Sequence, residues 1–257
     1  MSYPLPYASH DLSGQVALVT GATSGLGERF ARVLAQAGAS VAIAGRREDR
    51  LESLSQELRD AGATVFAVPM DVADGASLAG AIDKVDEALG TITILINNAG
   101  MPDAQLATKM SLDFIDQVIN VNMRAPFVLS REVARRLIKA GKHGRIVNIA
   151  SMAAFSTMKG ASLYAVTKAG VVRMTEALAV EWAALDINVN CIAPGAFDTE
   201  MLSGMRSRMG DGFIESNPRK RAGHVAQLDS TLLYLVSPAS DAVTGTVIKV
   251  DDGQGGR

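Results

Sequence analysis

The sequence predicts a doubly wound α/β domain, a parallel sheet covered on both faces by helices, and three observations predict it. Short runs rich in Val, Ile and Ala alternate with longer segments of helical period along the chain. The runs are continuously apolar rather than alternating, the pattern of strands buried on both faces. A glycine-rich string, Thr20 to Gly27, joins the first run directly to the first helical segment. Strand, helix and strand repeated this regularly require right-handed crossovers and hence parallel pairing.

The first strand is expected at 16–20, where Val-Ala-Leu-Val-Thr offers no polar face, and the second at 40–45, ending in Gly45. Further strands are expected at 64–69, 92–96, 145–150, 188–193 and 246–250, built mainly from aliphatic residues. Between them, 28–36, 48–61, 77–89, 112–139 and 165–184 place apolar residues three and four positions apart, as Leu51, Leu54 and Leu58 do, and are expected as helices. The segment 196–223 breaks this rhythm with Met201, Met205, Met209, Phe213, glycines and arginines. It follows a strand's carboxyl end, where open α/β sheets bind ligands, and is expected to be a mobile substrate lid. No linker or composition shift divides the chain, so a single domain is expected over 12–257, with a flexible tail at 1–11.

Composition narrows the function. Of 257 residues, 48% are hydrophobic and 20% charged, enough for one well-buried core and too apolar for a disordered chain. Lys+Arg 25 against Asp+Glu 27 leaves a formal net charge of −2, which argues against nucleic acid or an anionic membrane as partner. No stretch approaches the length of an uninterrupted apolar span, so no membrane crossing is expected. The first eleven residues carry no apolar core after a basic start and are not read as a secretory signal. A lone cysteine, Cys191, suits a reducing compartment, and the cytoplasm is the expected location. The histidines His10, His143 and His224 are scattered without partners at ligand spacing, so no metal site is expected.

The string Thr20-Gly21-Ala22-Thr23-Ser24-Gly25-Leu26-Gly27 lies between a strand and a helix, the context in which glycines let backbone N–H groups approach a pyrophosphate. No Gly-Lys-Ser/Thr follows, which removes phosphoryl transfer of the Walker type. The second strand ends in Gly45-Arg46-Arg47. An acid there would bind a ribose diol, whereas the planar fork of Arg46 suits a 2′-phosphate. NADP(H) is therefore expected over NAD(H).

Tyr164 and Lys168 stand four apart at the start of a helix, so phenol and ammonium share a face and the cation is expected to lower the phenol's pKa. With these motifs in order, the sequence resembles the short-chain dehydrogenase/reductases over nearly its whole length, in the manner of their 3-oxoacyl-ACP-reductase-like members. Thr20 to Gly27 is similar to the family's T-G-x-x-x-G-x-G, Asn97-Asn98-Ala99-Gly100 to its N-N-A-G, and Tyr164 to Lys168 to its Y-x-x-x-K. Ser151, 164 − 151 = 13 residues before the tyrosine, matches its catalytic serine, Asn122 its catalytic asparagine, and Pro194 to Thr199 its P-G-x-x-x-T.

The resemblance implies a Rossmann-like fold of about seven strands, a homotetramer packed through 112–139 and 165–184, and interconversion of a ketone and a secondary alcohol. It implies that Tyr164 exchanges the proton, Ser151 binds the substrate oxygen, Lys168 holds the nicotinamide ribose, and Asn122 positions a water beside Lys168. It further implies adenine contacts from Asp71 and Val72, adenosine contacts from Asn98, Ala99 and Gly100, and nicotinamide contacts from Pro194, Gly195, Phe197 and Thr199. Gly21, Thr23, Ser24, Gly25, Leu26 and Gly27 would cradle the phosphates. Met152, Phe155, Met201 and Met205 suggest an apolar substrate pocket of adaptable shape, suited to an apolar or acyl-type ketone.

Alone, Ser151 is also a turn former, Asn122 a helix residue and Asp71 a helix cap. Together, in matching order, they favour catalysis over a regulator that binds NADP(H) without turnover. The chain departs from the family pattern at three places. Ser24 stands where many NADP(H)-using members are basic, which leaves the 2′-phosphate to Arg46 with Arg47 beside it. Thr93 replaces an aspartate, and Asp251-Asp252-Gly253 replaces D-G-G, where Asp252 lacks the conformational freedom of glycine. The basic residues Arg135, Arg136, Lys139 and Lys142 are expected on a solvated helix face.

Overall fold

The computed structural model describes residues 6–255 apart from Asp211 and Ser216, with all their side chains except those of Arg208, Met209 and Phe213. Met1 to Leu5 of the expected tail, and the Met209 and Phe213 side chains of the expected lid, lie outside the described residues.

The strands are β1 (Val16–Thr20), β2 (Ser40–Gly45), β3 (Val65–Pro69), β4 (Ile94–Asn97), β5 (Gly144–Ile149), β6 (Ile187–Pro194) and β7 (Val247–Val250). They pair in parallel as one sheet of order β3-β2-β1-β4-β5-β6-β7, as the apolar runs predict. The helices are α1 (Gly25–Gln36), α2 (Glu48–Asp60), α3 (Leu78–Leu89), α4 (Leu112–Ile119), α5 (Ala125–Ala140), α6 (Ser162–Trp182), α7 (Glu200–Met209), α8 (Gly212–Glu215) and α9 (Asp229–Val236). Strand order reverses at β1 and β4, and a crevice opens at the carboxyl ends there. No described helix is long and apolar enough to cross a membrane.

Two cores sandwich the sheet. On one face Ala17 and Val19 of β1 pack with Phe30 and Leu34 of α1, the leucines of α2, and Leu232 of α9. On the other, Val16 and Leu18 meet Ile82 of α3, Leu137 of α5, and Leu178 and Trp182 of α6. Alternate residues of one strand therefore enter opposite cores, which is why the strand carries no polar face. Burial of a side chain such as Leu18 contributes about 1.5–3 kcal/mol.

Three local features differ from the sequence expectation. The helix expected over 112–139 is interrupted between α4 and α5 by a π-helical turn, Asn120–Arg124. Pro126, at the start of α5, has no N–H to return to the preceding turn, and the ladder widens there. Helix α1 begins at Gly25, inside the glycine string rather than after it. Arg136 is mostly buried rather than on the solvated face: it lies between α3 and α5, paired with Asp83, with Asp86 at 3.1 Å and with Glu132 at 3.0 Å. Arg135, Lys139 and Lys142 are exposed as expected.

The substituted positions are accommodated. Thr93 is buried and its hydroxyl accepts from Val16 N at 3.1 Å, tying the start of β4's segment to β1. Asp252 takes φ +52, a region Asp enters more readily than most residues, and its carboxylate holds Arg221 at 2.7 Å and Arg219 at 3.4 Å. At the amino end, Ser237 Oγ donates to Ser9 O at 2.6 Å.

Candidate active site

The crevice is a cleft of about 510 Å³, within the usual range for cofactor and small-molecule sites. It runs from the tip of β2 past the glycine string to Ser151 and Tyr164. All residues expected to touch cofactor or substrate line it except Gly27, Asn122 and Phe155. The exposed ring of Phe155 instead lies beneath Lys249 Nζ, 4.2 Å from the ring centre, so Phe155 does not form a wall of the cleft.

The glycine string fits a dinucleotide's phosphates. A Cβ on Gly27 would lie 2.3 Å from Gly21 O, and one on Gly21 would lie 2.9 Å from Ala99 Cα, so the turn closes only without side chains. Ser24 is the N-cap of α1 yet makes no side-chain cap bond, and its hydroxyl accepts from Arg47 instead. The first-turn N–H groups of α1 therefore face the cleft without a side-chain acceptor, an arrangement favourable to an anion. Asn98 stiffens the base of the loop: its Nδ2 donates to Thr20 O at 2.9 Å and Gly21 O at 3.2 Å. Thr20 Oγ1 accepts in turn from Asn98 N and Ala99 N, each at 3.1 Å. The Asn98 amide is thus committed to protein. Asp71 is exposed at the end of β3, one carboxylate oxygen accepting from Ala73 N at 3.0 Å.

At the β2 tip it is Arg47, not Arg46, that is wired to the loop. Arg47 donates to Thr23 Oγ1 from Nε at 3.0 Å and from a terminal nitrogen at 2.8 Å, and to Ser24 Oγ at 2.7 Å. Arg46 is exposed at the same edge of the cleft.

At the other end, four expected residues converge. Ser151 lies two residues past the end of β5 and caps the short 3₁₀ turn Met152–Ala154, its Oγ accepting from Ala153 N at 3.1 Å. That hydroxyl neighbours the Tyr164 phenol and favours its ionised form. Lys168, buried one turn further along α6, donates to Ile149 O at 2.9 Å and lies 5.6 Å from the centre of the Tyr164 ring. Asn122, wholly buried in the π-helical turn, accepts from Met101 N at 2.9 Å and donates to Met101 O at 2.9 Å and Thr167 Oγ1 at 3.2 Å. A Cβ on Gly100 would meet Lys168 Nζ at 3.4 Å and Asn122 Oδ1 at 3.5 Å, so these two groups flank the same backbone.

Electrostatics correct one expectation. Burial raises the Tyr164 pKa; the Ser151 hydrogen bond lowers it, and the charge of Asp103 raises it. The phenol is therefore harder to ionise than a free tyrosine, not easier. Lys168 is moved down to about 8 by burial, so its ammonium is itself the costly group. Cys191, beneath Lys168, is pushed up to about 12 by burial and is an unreactive thiol.

Known proteins resemble this chain over most of its length. The family model for short chain dehydrogenases matches residues 15–210. The chain belongs to the short chain dehydrogenase family. It is 35% identical over 243 residues to nodulation protein G of Rhizobium sp. (strain N33), covering 95% of this chain and 98% of that protein. It is 34% identical to the 3-oxoacyl-[acyl-carrier-protein] reductase FabG of Aquifex aeolicus (strain VF5), covering 94% and 98%. Among solved structures it resembles a gluconate 5-dehydrogenase from Burkholderia cenocepacia J2315 in complex with NADP and tartrate, with TM-score 0.90, 34% identity, and 96% and 98% of the chains covered.

Within this short chain dehydrogenase, several residues near the site had no motif to announce them. Asp103, 2% exposed, accepts from Tyr164 N at 2.9 Å and from Ala104 N at 2.7 Å, so it caps the helix carrying the tyrosine from 61 residues away. Gln254 lines the cleft beside Gly195 from the carboxyl-terminal segment. Glu200, the first residue of α7, pairs with Arg47 at 2.9 Å and with Arg50. The two arginines hold its carboxyl down at about 2. Only an acid in a helix's first turn hinted at Glu200, and nothing local paired it with arginines 150 positions earlier.

Proposed function

We propose that this chain is an oxidoreductase that interconverts a ketone and a secondary alcohol, with Tyr164 as general acid and base and NADP(H) favoured over NAD(H). The observation that carries the reading is that Ser151, Tyr164 and Lys168 line one cleft that continues to the glycine string, with the Ser151 hydroxyl close enough to the phenol to lower its pKa against burial. A nicotinamide dinucleotide bound there supplies or accepts the hydride. Ser151 and Tyr164 hydrogen-bond the substrate oxygen, and Tyr164 delivers or takes the proton as charge develops there. Lys168 places a positive charge behind the phenol and toward the nicotinamide ribose. Asn122 holds the Met101 segment against α6 and so positions Lys168.

Met152, Met201 and Met205 line the cleft and support an apolar or acyl-type substrate, the class to which the substrates of the 3-oxoacyl reductase relatives belong. Residues 196–223 act as the lid over it. The cytoplasm is the proposed location. Leu112, Phe127, Val166 and Val180 stand exposed on α4, α5 and α6 and support a homotetramer packed through those helices, testable as a mass in solution.

The deciding experiment follows NADPH and NADH absorbance over a panel of ketones, aldehydes and secondary alcohols in both directions, with Tyr164→Phe alongside. Turnover that falls about 10²–10⁴-fold in the variant while nucleotide binding is kept supports the reading. A wild-type rate in the variant removes Tyr164 from the chemistry. Nucleotide binding without turnover on any member of the panel favours a sensor instead.

A further inference from the structure

The tip of β2 holds a closed ionic cluster that the glycine-string motif does not explain. Arg47 spends Nε and one terminal nitrogen on Thr23 Oγ1 and Ser24 Oγ, and its other terminal nitrogen on Glu200 Oε2 at 2.9 Å. Arg50, one turn along α2, pairs with the second carboxylate oxygen of Glu200 and reaches Thr23 O at 3.4 Å. Glu200 is fixed from below. Thr199, the N-cap of α7, accepts from Leu202 N at 3.3 Å and packs so closely on the glycine string that a Cβ on Gly25 would lie 3.2 Å from its methyl. One carboxylate therefore ties the first turn of the lid to both arginines across the edge of the cleft, using the donors that a phosphate monoester at the strand tip would take.

We propose that Glu200 is a specificity-determining residue that competes with the cofactor's 2′-phosphate for Arg47 and Arg50, and so weakens the preference for NADP(H) over NAD(H). The inference rests on the NADP(H) reading above. A phosphate dianion and a carboxylate cannot share two guanidiniums without strong like-charge repulsion, so the phosphate enters only as Glu200 swings away. The side chains are 39%, 44% and 54% exposed for Arg47, Arg50 and Glu200, so solvent screens the pairs and the competitor is displaceable rather than a permanent block. A cofactor lacking the 2′-phosphate leaves the cluster intact. Arg46, exposed beside it, can attract phosphate but does not release Glu200.

The test is calorimetric binding of NADPH and NADH to the full chain, wild type, Glu200→Gln and Arg47→Ala, at low and high salt. Glu200→Gln is expected to tighten NADPH about three- to tenfold, leave NADH within about twofold, and lose most of its advantage as salt rises. An unchanged NADPH affinity, an equal gain for both nucleotides, or a weaker NADPH complex overturns the inference. If Arg47→Ala weakens NADPH while Glu200→Gln does nothing, the NADP(H) reading stands and only the role of Glu200 falls. If the wild type binds NADH at least as tightly as NADPH and Arg47→Ala changes neither, both fall.

Discussion

Lys168 donates from Nζ to Ile149 O at 2.9 Å while the same ammonium stands 5.6 Å from the centre of the Tyr164 ring. The charge is anchored to the end of a central strand and aimed along the helix face that carries the phenol. Among the described residues Ile149 O is its one hydrogen-bond acceptor, and burial moves its pKa from 10.5 to about 8. Holding that charge in a buried place costs stability.

Lys168→Met is therefore expected to abolish turnover and raise Tm. A shift from 10.5 to about 8 corresponds to roughly 3 kcal/mol against the folded state at neutral pH, offset in part by the lost bond to Ile149. A net gain of about 1–2 kcal/mol amounts to several degrees in a chain of this size. The sign follows from linkage. Below pH 8 both states bind the proton and the full cost stands; between about 8 and 10.5 only the unfolded chain binds it, and wild-type stability rises with pH. Thermal melts of both proteins across that window check this: the variant lacks the rising limb, and a variant less stable than wild type at pH 7 refutes it.

Under the proposed mechanism, the raised phenol and lowered ammonium are expected to separate the two reaction directions in pH. Carbonyl reduction needs Tyr164 protonated and Lys168 charged, so kcat/KM is expected to be level near neutrality and to fall through about pH 8 as the ammonium is lost. Alcohol oxidation needs the phenol to accept a proton, which its raised pKa opposes, so its optimum lies at higher pH. Initial rates in both directions on one substrate pair measure this. Coincident optima would show that another group governs the profile.

Asn122→Ala removes three hydrogen bonds from a buried position and leaves Met101 N and O without their side-chain partner. A loss of about 2–4 kcal/mol is expected, read in a denaturant titration as a lower midpoint. Turnover falls with it, because the same amide ties the Met101 segment to the helix that carries Lys168. Unchanged stability with lost turnover would mean that Asn122 acts on the reacting groups directly.

The sheet and the closeness of Tyr164 to Lys168 were legible because their signals are local. Ala17 and Val19 pack opposite to Val16 and Leu18, so the whole run must be apolar, and Tyr164 and Lys168 share a face by helical period alone. The break at Asn122 was hidden because 112–139 keeps its apolar spacing through it; the one mark was Pro126. Residues joined across long separations were invisible. Asp103 reaches Tyr164 across 61 positions, and Glu200 reaches Arg47 across 153. That Arg47 rather than Arg46 meets the loop hydroxyls was also hidden, because spacing does not determine it. The sign of the Tyr164 shift was missed because proximity to a cation is readable from spacing, whereas burial depends on the packed cleft.

Two glycines with opposite surroundings give a paired test of the phosphate loop. A Cβ on Gly27 would fall 2.3 Å from Gly21 O and 2.4 Å from Asn98 Nδ2, and that amide is held by two carbonyls. Neither neighbour is a flexible end that can swing away, so Gly27→Ala must displace the turn itself. A cost of about 1–3 kcal/mol is expected, with dinucleotide affinity falling about tenfold or more as the N–H groups lose their aim. Gly80 lies exposed inside α3 with nothing within 4 Å of an added Cβ. There Ala supplies helix propensity without a clash, so Gly80→Ala is expected to stabilise by about 0.5–1 kcal/mol and leave nucleotide binding unchanged. Denaturation midpoints and NADPH affinities of the two variants are the readout. If Gly27→Ala binds NADPH as the wild type does, the close approach of the turn is not what the phosphates require, and the cradle lies elsewhere in the cleft.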